Sequence, residues 1–232
     1  MRKALVVGVD EYSFSPLRCC VNDAIDVASV LSKHANGDVN FDVVLSKNTK
    51  TKAELVVALR KLFEGDGDIA LFYFAGHGAL VGSDGYIVLP DYKAGDEGVR
   101  VSSILEMANK SCFDSKIIVL DCCHAGSIVA PDPNLSHIAP LGKGVVVLSA
   151  CSEDQSAREV SGHGVFSGQF IEAMNGGAAN ILGEITPSQV YACIDKILGP
   201  WDQRPLFAAN VSRHIVIKRS MPAIDVNILR LL

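Results

Sequence analysis

The sequence lacks the cysteine patterns that mark a disulfide-stapled or zinc-binding protein. Its seven cysteines are an odd number, two pairs of them are adjacent, and no Cys-x-x-Cys occurs. Disulfide frameworks belong to secreted chains with an even cysteine count, and adjacent cysteines rarely bind one metal ion. We therefore expect free thiols in a reducing cytoplasm, with no zinc site.

Three further absences narrow the class of protein. No apolar run reaches the roughly 20 residues that span a membrane, and the first run, Ala4–Val9, is too short for the core of a signal peptide. No Gly-x-Gly-x-x-Gly or P-loop follows that run, so a nucleotide-binding α/β protein is kept only as an alternative. The net charge of −5 offers no positive field to nucleic acid. We expect a chain that binds neither membranes nor nucleic acid.

The sequence does have apolar runs that alternate with helical periodicity, a pattern typical of a mostly parallel sheet with crossover helices on both faces. Strands are predicted at Lys3–Val9, Phe41–Leu45, Asp68–Phe74, Lys116–Leu120 and Gly144–Ala150. A last strand is predicted within Leu206–Ile217, with a split around Asn210 as the alternative. Helices are predicted at Asn22–His34, Lys52–Phe63 after a Thr51 N-cap, Gly164–Met174 and Pro187–Leu198. A small hairpin over Gly78–Leu89 is predicted to turn at Ser83, Asp84 and Gly85.

The length of 232 residues suits one α/β domain better than two. Within it we expect a larger part over about 1–125, a surface loop over about 125–143 and a smaller part over about 144–219. The apolar tail, 220–232, is interpreted as packing back on the domain, with a partner-binding segment as the alternative.

Two polar stretches follow buried strands, FYFAGHG (Phe72–Gly78) and IIVLDCCHAG (Ile117–Gly126). Ligands of open α/β sheets bind in the crevice outside the carboxyl ends of the strands. If the two strands are neighbours, His77 and Cys123 face one cleft. A thiol attacks a carbonyl once an imidazole favours its thiolate, so the pair predicts a cysteine hydrolase.

The expected roles follow from this chemistry. Cys123 would form an acyl-enzyme, and His77 would support the thiolate and protonate the leaving amine. The backbone N–H groups of Gly78 and Cys123 would bind the oxyanion. Cys122 competes for the role of nucleophile, although strand alternation favours it as the packed residue, and His163 is interpreted as a loop residue. The remaining cysteines are expected to pack as small apolar groups: Cys19, Cys20, Cys112, Cys151 and Cys193.

Asp23 and Asp121 also lie at predicted strand ends that border this crevice. Taken singly, Asp23 would be an ordinary N-cap or loop carboxylate. Two carboxylates in one crevice favour a cationic side chain, and arginine can bind them in bidentate geometry.

Together these motifs resemble the caspase-like clan of cysteine peptidases, and within it the metacaspase and bacterial orthocaspase type. The matching segments are KALVVGVDEY, LRCCVNDA, FYFAGHG, DCCHAG and SACSEDQSARE followed by HGVFSGQFIEAM. The resemblance implies a three-layer sandwich with about six strands and a catalytic dyad of His77 and Cys123. It also implies that Asp23 and Asp121 shape a pocket for the arginine or lysine before the scissile bond. The Gln-Ala-Cys motif of caspases that cleave after aspartate is missing.

Three departures from the family pattern shape further expectations. Ala75 stands directly before the Gly-His pair, where the family commonly has a serine. This removes one possible hydroxyl from the substrate pocket. The segment GVRVSSIL lacks the paired aspartates of calcium-dependent metacaspases, and nearby Asp91, Asp96 and Glu97 are interpreted as a solvated loop, so neither calcium nor another cofactor is expected. After Cys123 no Lys or Arg occurs before Lys143, so we expect an active uncut chain or maturation elsewhere, such as at Arg158.

The resemblance also implies protein or peptide substrates, a regulatory partner protein, and a role in regulated cell death or defence. The alternative is a catalytically silent scaffold of the same fold that acts through protein contacts. The intact His77 and Cys123 pair argues against that alternative.

Overall fold

The computed structural model describes residues 1–82, 84–122, 141–150, 162–198, 205–224 and 228, and the backbone alone at 159–160. Cys123, Cys151 and Arg158 lie outside these residues, as do most of the predicted 125–143 loop and most of the tail. Among the described cysteines, Cys20, Cys112 and Cys193 are free thiols.

The described elements alternate between strands and helices along the chain. In order they are β1 (Arg2–Gly8), α1 (Cys20–Ser32), β2 (Asp42–Lys47), α2 (Lys52–Phe63), β3 (Asp66–Ala75), β4 (Gly78–Val81), β5 (Asp84–Ile87), β6 (Val99–Arg100), α3 (Val101–Lys110), β7 (Cys112–Asp121), β8 (Val145–Ser149), β9 (Glu159–Val160), β10 (His163–Gly164), α4 (Val165–Glu172), β11 (Glu184–Ile185), α5 (Pro187–Ile197), β12 (Leu206–Asn210) and β13 (Lys218–Arg219). A π-helical turn, Ala173–Gly177, continues α4.

Six strands form the main sheet, in the order β12-β8-β7-β3-β1-β2. Five of them are parallel, and β12 pairs antiparallel to β8. Parallel neighbours need crossover connections, so the chain places helices on both faces, as the sequence predicts. The main sheet and the helices on its two faces give the predicted mostly parallel α/β architecture.

Side chains along each strand point alternately into two cores. One core lies under α2 and α3 and holds Phe72 and Leu120; the other lies under α1, α4 and α5 and holds Tyr73 and Val119. Because both faces of β3 and β7 are buried, their sequences contain continuous apolar runs. No helix within the described residues is long and apolar enough to cross a membrane.

Local capping signals set several helix boundaries where the sequence predicts them. The Thr51 hydroxyl accepts a hydrogen bond from the Glu54 N–H and starts α2 at the predicted residue. A capping box between Thr186 and Gln189, with Pro187 in the first turn, starts α5. These ends follow from side chains within one turn, which is why sequence alone can locate them.

One local prediction needs correction. In the hairpin, Val81 pairs with Asp84, so Asp84 and Gly85 belong to β5 and the turn lies before them, where Gly82 has a φ of +64°. Pairing with another strand, which no local pattern encodes, decides this boundary. The last strand, β12, lies within the predicted range and ends at Asn210. The chain resumes strand structure in β13, which pairs with β11 in a separate two-stranded sheet.

Candidate active site

The carboxyl ends of β3 and β7 lie side by side at one edge of the main sheet. Ala75 pairs with Asp121, and the Gly76 N–H donates to the Asp121 carbonyl at 3.3 Å. The two strands are therefore neighbours, as the predicted pairing of His77 with Cys123 requires. His77 follows Ala75 by two residues, and in the sequence Cys123 follows Asp121 by two, although Cys123 itself lies outside the described residues.

The imidazole of His77 is fixed by a backbone carbonyl that the sequence analysis did not identify. His77 Nε2 lies 2.7 Å from the Ser15 carbonyl oxygen. A carbonyl only accepts, so Nε2 carries the proton and Nδ1 is the basic nitrogen of the neutral ring. Ser15 lies 62 residues away in the loop after β1, and no spacing signal connects it to His77.

Tyr12 contacts both the backbone and the ring of His77. Its hydroxyl donates to the Val88 carbonyl at 3.1 Å and accepts from the His77 N–H at 3.1 Å. Its ring contacts the imidazole edge-on, with centroids 4.5 Å apart. Burial raises the pKa of Tyr12, so its hydroxyl stays neutral at physiological pH and remains a donor.

Asp23 reaches the same edge from the first turn of α1. A Cβ on Gly8, at the end of β1, would lie 2.2 Å from the Cys20 carbonyl oxygen, so only glycine lets α1 approach this closely. Asp23 is 1% exposed. Its Oδ1 accepts from His163 Nδ1 at 2.7 Å, and its Oδ2 accepts from the Gly164 N–H at 3.1 Å.

Asp121, the last residue of β7, approaches the same point from the sheet. Its carboxylate accepts a hydrogen bond from the Ser167 hydroxyl, which in turn contacts the Tyr73 hydroxyl. A Cβ on Gly164 would lie 3.1 Å from Asp121 Oδ2 and 3.3 Å from Asp23 Oδ2. The structure therefore brings the two predicted carboxylates together, with Gly164 between them.

This acid pair is electrostatically unusual. Burial raises the pKa of Asp23 to about 6, and the hydrogen bonds from His163 and Gly164 only partly offset it, while the charge of Asp121 raises it further. Burial also raises the pKa of Asp121, although the hydrogen bonds from Ser167 lower it in part. A cation placed between two desolvated carboxylates would stabilise their charged forms, because each carboxylate would then have an opposite charge beside it.

The cysteines fall into different environments. Cys122 is 4% exposed and packs in the core under α2 and α3, as strand alternation predicts. Cys19 is also buried. Burial and the neighbouring carboxylates, Asp10 first among them, raise the pKa of Cys20 and keep it a protonated thiol. The expectation that Cys112 packs is wrong, because it begins β7 at the opposite edge of the sheet and is exposed.

His163 is the main site residue whose place the sequence analysis misjudged. It lies in β10, paired with β9, and not in a loop. Besides Asp23, its Nε2 approaches Asp26 Oδ2 at 3.4 Å. A Gly-His-Gly stretch directly before an amphipathic helix was the available signal, but the partner lies 140 residues away in sequence.

The acidic residues after the hairpin form hydrogen bonds or ion pairs with other residues of the chain. The Asp91 carboxylate accepts the Lys52 N–H at the start of α2, and Asp96 pairs with the Lys52 ammonium. Glu97 accepts the Gly95 N–H at 3.0 Å. Across the described ranges, with Cys123 and its loop outside them, no group of three or more His, Cys, Asp or Glu side chains is arranged to hold a metal ion.

The fold and these groups define an open α/β protein with a histidine and a buried acid pair at the carboxyl edge of its sheet. The family model of the caspase domain, peptidase family C14, matches residues 1–211. The chain therefore belongs to the caspase-domain family of cysteine peptidases. No curated protein gives a significant match.

Proposed function

We propose that this protein is an endopeptidase of the metacaspase or orthocaspase type, which cleaves after arginine or lysine with a dyad of Cys123 and His77. The observation that carries the proposal is the convergence of Asp23 and Asp121 on Gly164, beside the strand end that leads to Cys123. A buried acid pair at this place suits a cationic side chain and repels an aspartate.

In the proposed chemistry, Nδ1 of His77 first takes the proton of the Cys123 thiol, and the resulting thiolate attacks the carbonyl carbon of the scissile amide. As the C–N bond breaks, His77 delivers a proton from Nδ1 to the leaving nitrogen, and a thioester remains on Cys123. His77 then takes a proton from the attacking water, and hydrolysis of the thioester restores the thiol. The hydrogen bond from Nε2 to Ser15 supports this role, because it leaves Nδ1 available for these proton transfers.

Gly78 is a suitable donor for the oxyanion. The Val88 N–H donates to the His77 carbonyl at 3.0 Å, which makes His77 and Val88 a hydrogen-bonded position of the hairpin. The next pair, Gly78 and Ile87, is then a non-hydrogen-bonded pair, whose N–H groups point away from the partner strand. The Gly78 N–H thus points away from β5, as an oxyanion donor must.

The contacts of Lys143 support activity as an uncut chain. The Lys143 carbonyl, part of the bond that a basic-specific enzyme would cut, accepts from Lys116 Nζ at 2.8 Å. The next residue, Gly144, donates to the Asn210 carbonyl and accepts from the Lys116 N–H. Because this backbone is tied on both sides at the start of β8, it cannot enter an active site without local unfolding.

The proposal includes no requirement for calcium or another cofactor, because thiol and imidazole chemistry needs none. Activity that a chelator abolishes and added calcium restores would contradict this part. Protein substrates follow from the family, whereas a regulatory partner and a role in cell death or defence remain proposals that rest on the resemblance to metacaspases.

One experiment tests the function directly. Fluorogenic peptides that differ only in a terminal Arg, Lys or Asp are incubated with wild type and with Cys123→Ala, and both proteins are weighed by mass spectrometry. We expect hydrolysis after Arg and Lys by wild type only, and for each protein the mass of its own uncut chain. Equal rates for the two proteins, or a preference for Asp, would contradict the proposal, and complete inactivity would favour the silent scaffold.

A further inference from the structure

Two exposed aromatic rings, one next to His77 and the other next to the first, take no part in the proposed chemistry. Phe14 is 51% exposed and Tyr92 is 42% exposed, and their ring centroids are 5.6 Å apart. The Phe14 ring lies 5.7 Å from the imidazole of His77, inclined to it by 34°. The edge of the site therefore carries an apolar surface, the Phe14–Tyr92 surface, in direct contact with the general acid.

This surface lies on the opposite side of the sheet from the acid pair. Tyr12, beside Phe14, belongs to the core under α2 and α3. Asp23 lies on α1, and Phe166, just after Gly164, belongs to the core under α1, α4 and α5. The ends of β3 and β7 run between the two groups, so a peptide that reaches both must cross these strand ends.

The proposed roles of the acid pair and of His77 set the direction in which such a peptide would bind. The residue before the scissile bond places its cationic side chain between Asp23 and Asp121. The leaving amine takes its proton from His77, so the residue that carries this amine lies against the imidazole. Its side chain then reaches the rings that flank the imidazole on the side away from the acid pair.

We propose that the Phe14–Tyr92 surface binds the side chain that follows the scissile bond and favours an aromatic or large aliphatic residue there. This inference rests on the proposed function, because it takes the dyad and the acid pair as the fixed points of the peptide. Aromatic rings pair in tilted and edge-to-face geometry, and Phe14 and Tyr92 leave ring surface open for one more partner.

The competing explanation is that Phe14 only anchors the Ser15 loop. Tyr12 already performs that task, since its buried hydroxyl bridges His77 and Val88 and its ring packs against Phe14 at 5.4 Å. An anchoring residue would change hydrolysis of every substrate equally, whereas a binding residue changes the ratio between substrates.

The test uses two internally quenched peptides that are identical except for Phe or Gly directly after a single Arg. For wild type we expect kcat/KM to be about tenfold higher for the Phe peptide, the scale of partly burying one aromatic side chain. In Phe14→Ala and in Tyr92→Ala this ratio should fall towards one. Val57→Ala is the control, because Val57 is also 51% exposed but lies on α2 away from His77, and its ratio should equal that of wild type.

The outcomes separate the inference from the proposed function. A wild-type ratio near one, or an equal loss for both peptides in Phe14→Ala, overturns the inference and leaves the function standing. Cleavage of neither peptide overturns the function and the inference with it. Fluorescence anisotropy of the same peptides on Cys123→Ala gives a second readout, in which tighter binding of the Phe peptide must disappear with Phe14→Ala.

Discussion

The two sides of the strand ends in this protein differ sharply in chemistry. On the side of α1 and α4, the buried carboxylates of Asp23 and Asp121 converge on Gly164. On the side of α2 and α3, the rings of Tyr12 and Phe14 flank the imidazole of His77. One side carries two carboxylates, and burial raises the pKa of one of them, Asp23, to about 6. The other side carries aromatic rings around the imidazole.

The difference indicates how a single cleft can separate recognition from chemistry. The acid pair offers charge, whose effect depends on pH and on the substrate's own charge. On the aromatic side, the Ser15 carbonyl sets the tautomer of His77, the proposed general acid and base, and the Tyr12 hydroxyl accepts from its backbone N–H. Changes in the acid pair should therefore alter selectivity for the residue before the scissile bond, whereas removal of the Tyr12 hydroxyl should alter stability more than this selectivity.

The largest effect is expected from Asp23→Asn, which removes one charge of the acid pair and keeps its shape. Loss of a buried charge partner lowers kcat/KM for an Arg peptide by about 100-fold. A peptide with citrulline, the uncharged isostere of arginine, should lose far less. Kinetics on both peptides check this, with Asp42→Asn at the exposed opposite edge of the sheet as the control. Equal losses on both peptides would mean that Asp23 is only structural.

Gly164→Ala should have the next largest effect. The φ of Gly164 is −62°, which alanine adopts without strain, but the new methyl group would press on both carboxylates at 3.1 and 3.3 Å. We expect KM for the Arg peptide to rise by about tenfold. Gly168→Ala is the matched control in α4, since its Cβ would meet only His163 Cβ at 3.6 Å and alanine favours the helix. An unchanged KM in Gly164→Ala would place the cation elsewhere.

The preference for an Arg peptide over a citrulline peptide should depend on pH, because the pKa of Asp23 is raised. The carboxyl is charged above pH about 6 and neutral below it, so its attraction for a guanidinium is present above this pH and lost below. The ratio of kcat/KM for Arg and citrulline peptides should fall several-fold from about pH 7 to about pH 5. Taking the ratio cancels titration of the dyad. A ratio that stays constant across this range would argue against a role for Asp23 in binding.

The smallest effect is expected on the aromatic side, from Tyr12→Phe. The change removes the hydroxyl that bridges the His77 N–H and the Val88 carbonyl. The free energy of unfolding should fall by about 1–2 kcal/mol, because two polar groups lose a buried partner. Denaturant unfolding measures this, with Tyr86→Phe as the control. A Tyr12→Phe chain whose selectivity for Arg changes more than its stability would contradict the separation between the two sides.

The sequence predicts the sheet and most of its helices well. The apolar runs of β3 and β7 and the capping residues Thr51 and Thr186 are local signals, and each works within a few residues of the element it marks. Alternation within β7 likewise identifies Cys122 as the packed cysteine. The turn of the hairpin is less well predicted, because strand pairing moves such boundaries.

The supporting residues of the site are the part that sequence reasoning did not find. His163 lies 140 residues from Asp23, and Ser15 lies 62 residues from His77. Neither pair has a spacing that secondary structure imposes, so no periodicity indicates it. The prediction of His77, Asp23 and Asp121 as site residues used local signals, because each lies within a few residues of the end or start of a regular element.

The sequence by itself determined the alternating elements and the two polar strand ends, because periodicity and capping are properties of neighbouring residues. Only the tertiary structure decided that two carboxylates converge on Gly164 and that a backbone carbonyl sets the tautomer of His77. Both results depend on the parallel order of the strands, since that order brings residues from distant parts of the chain to one edge.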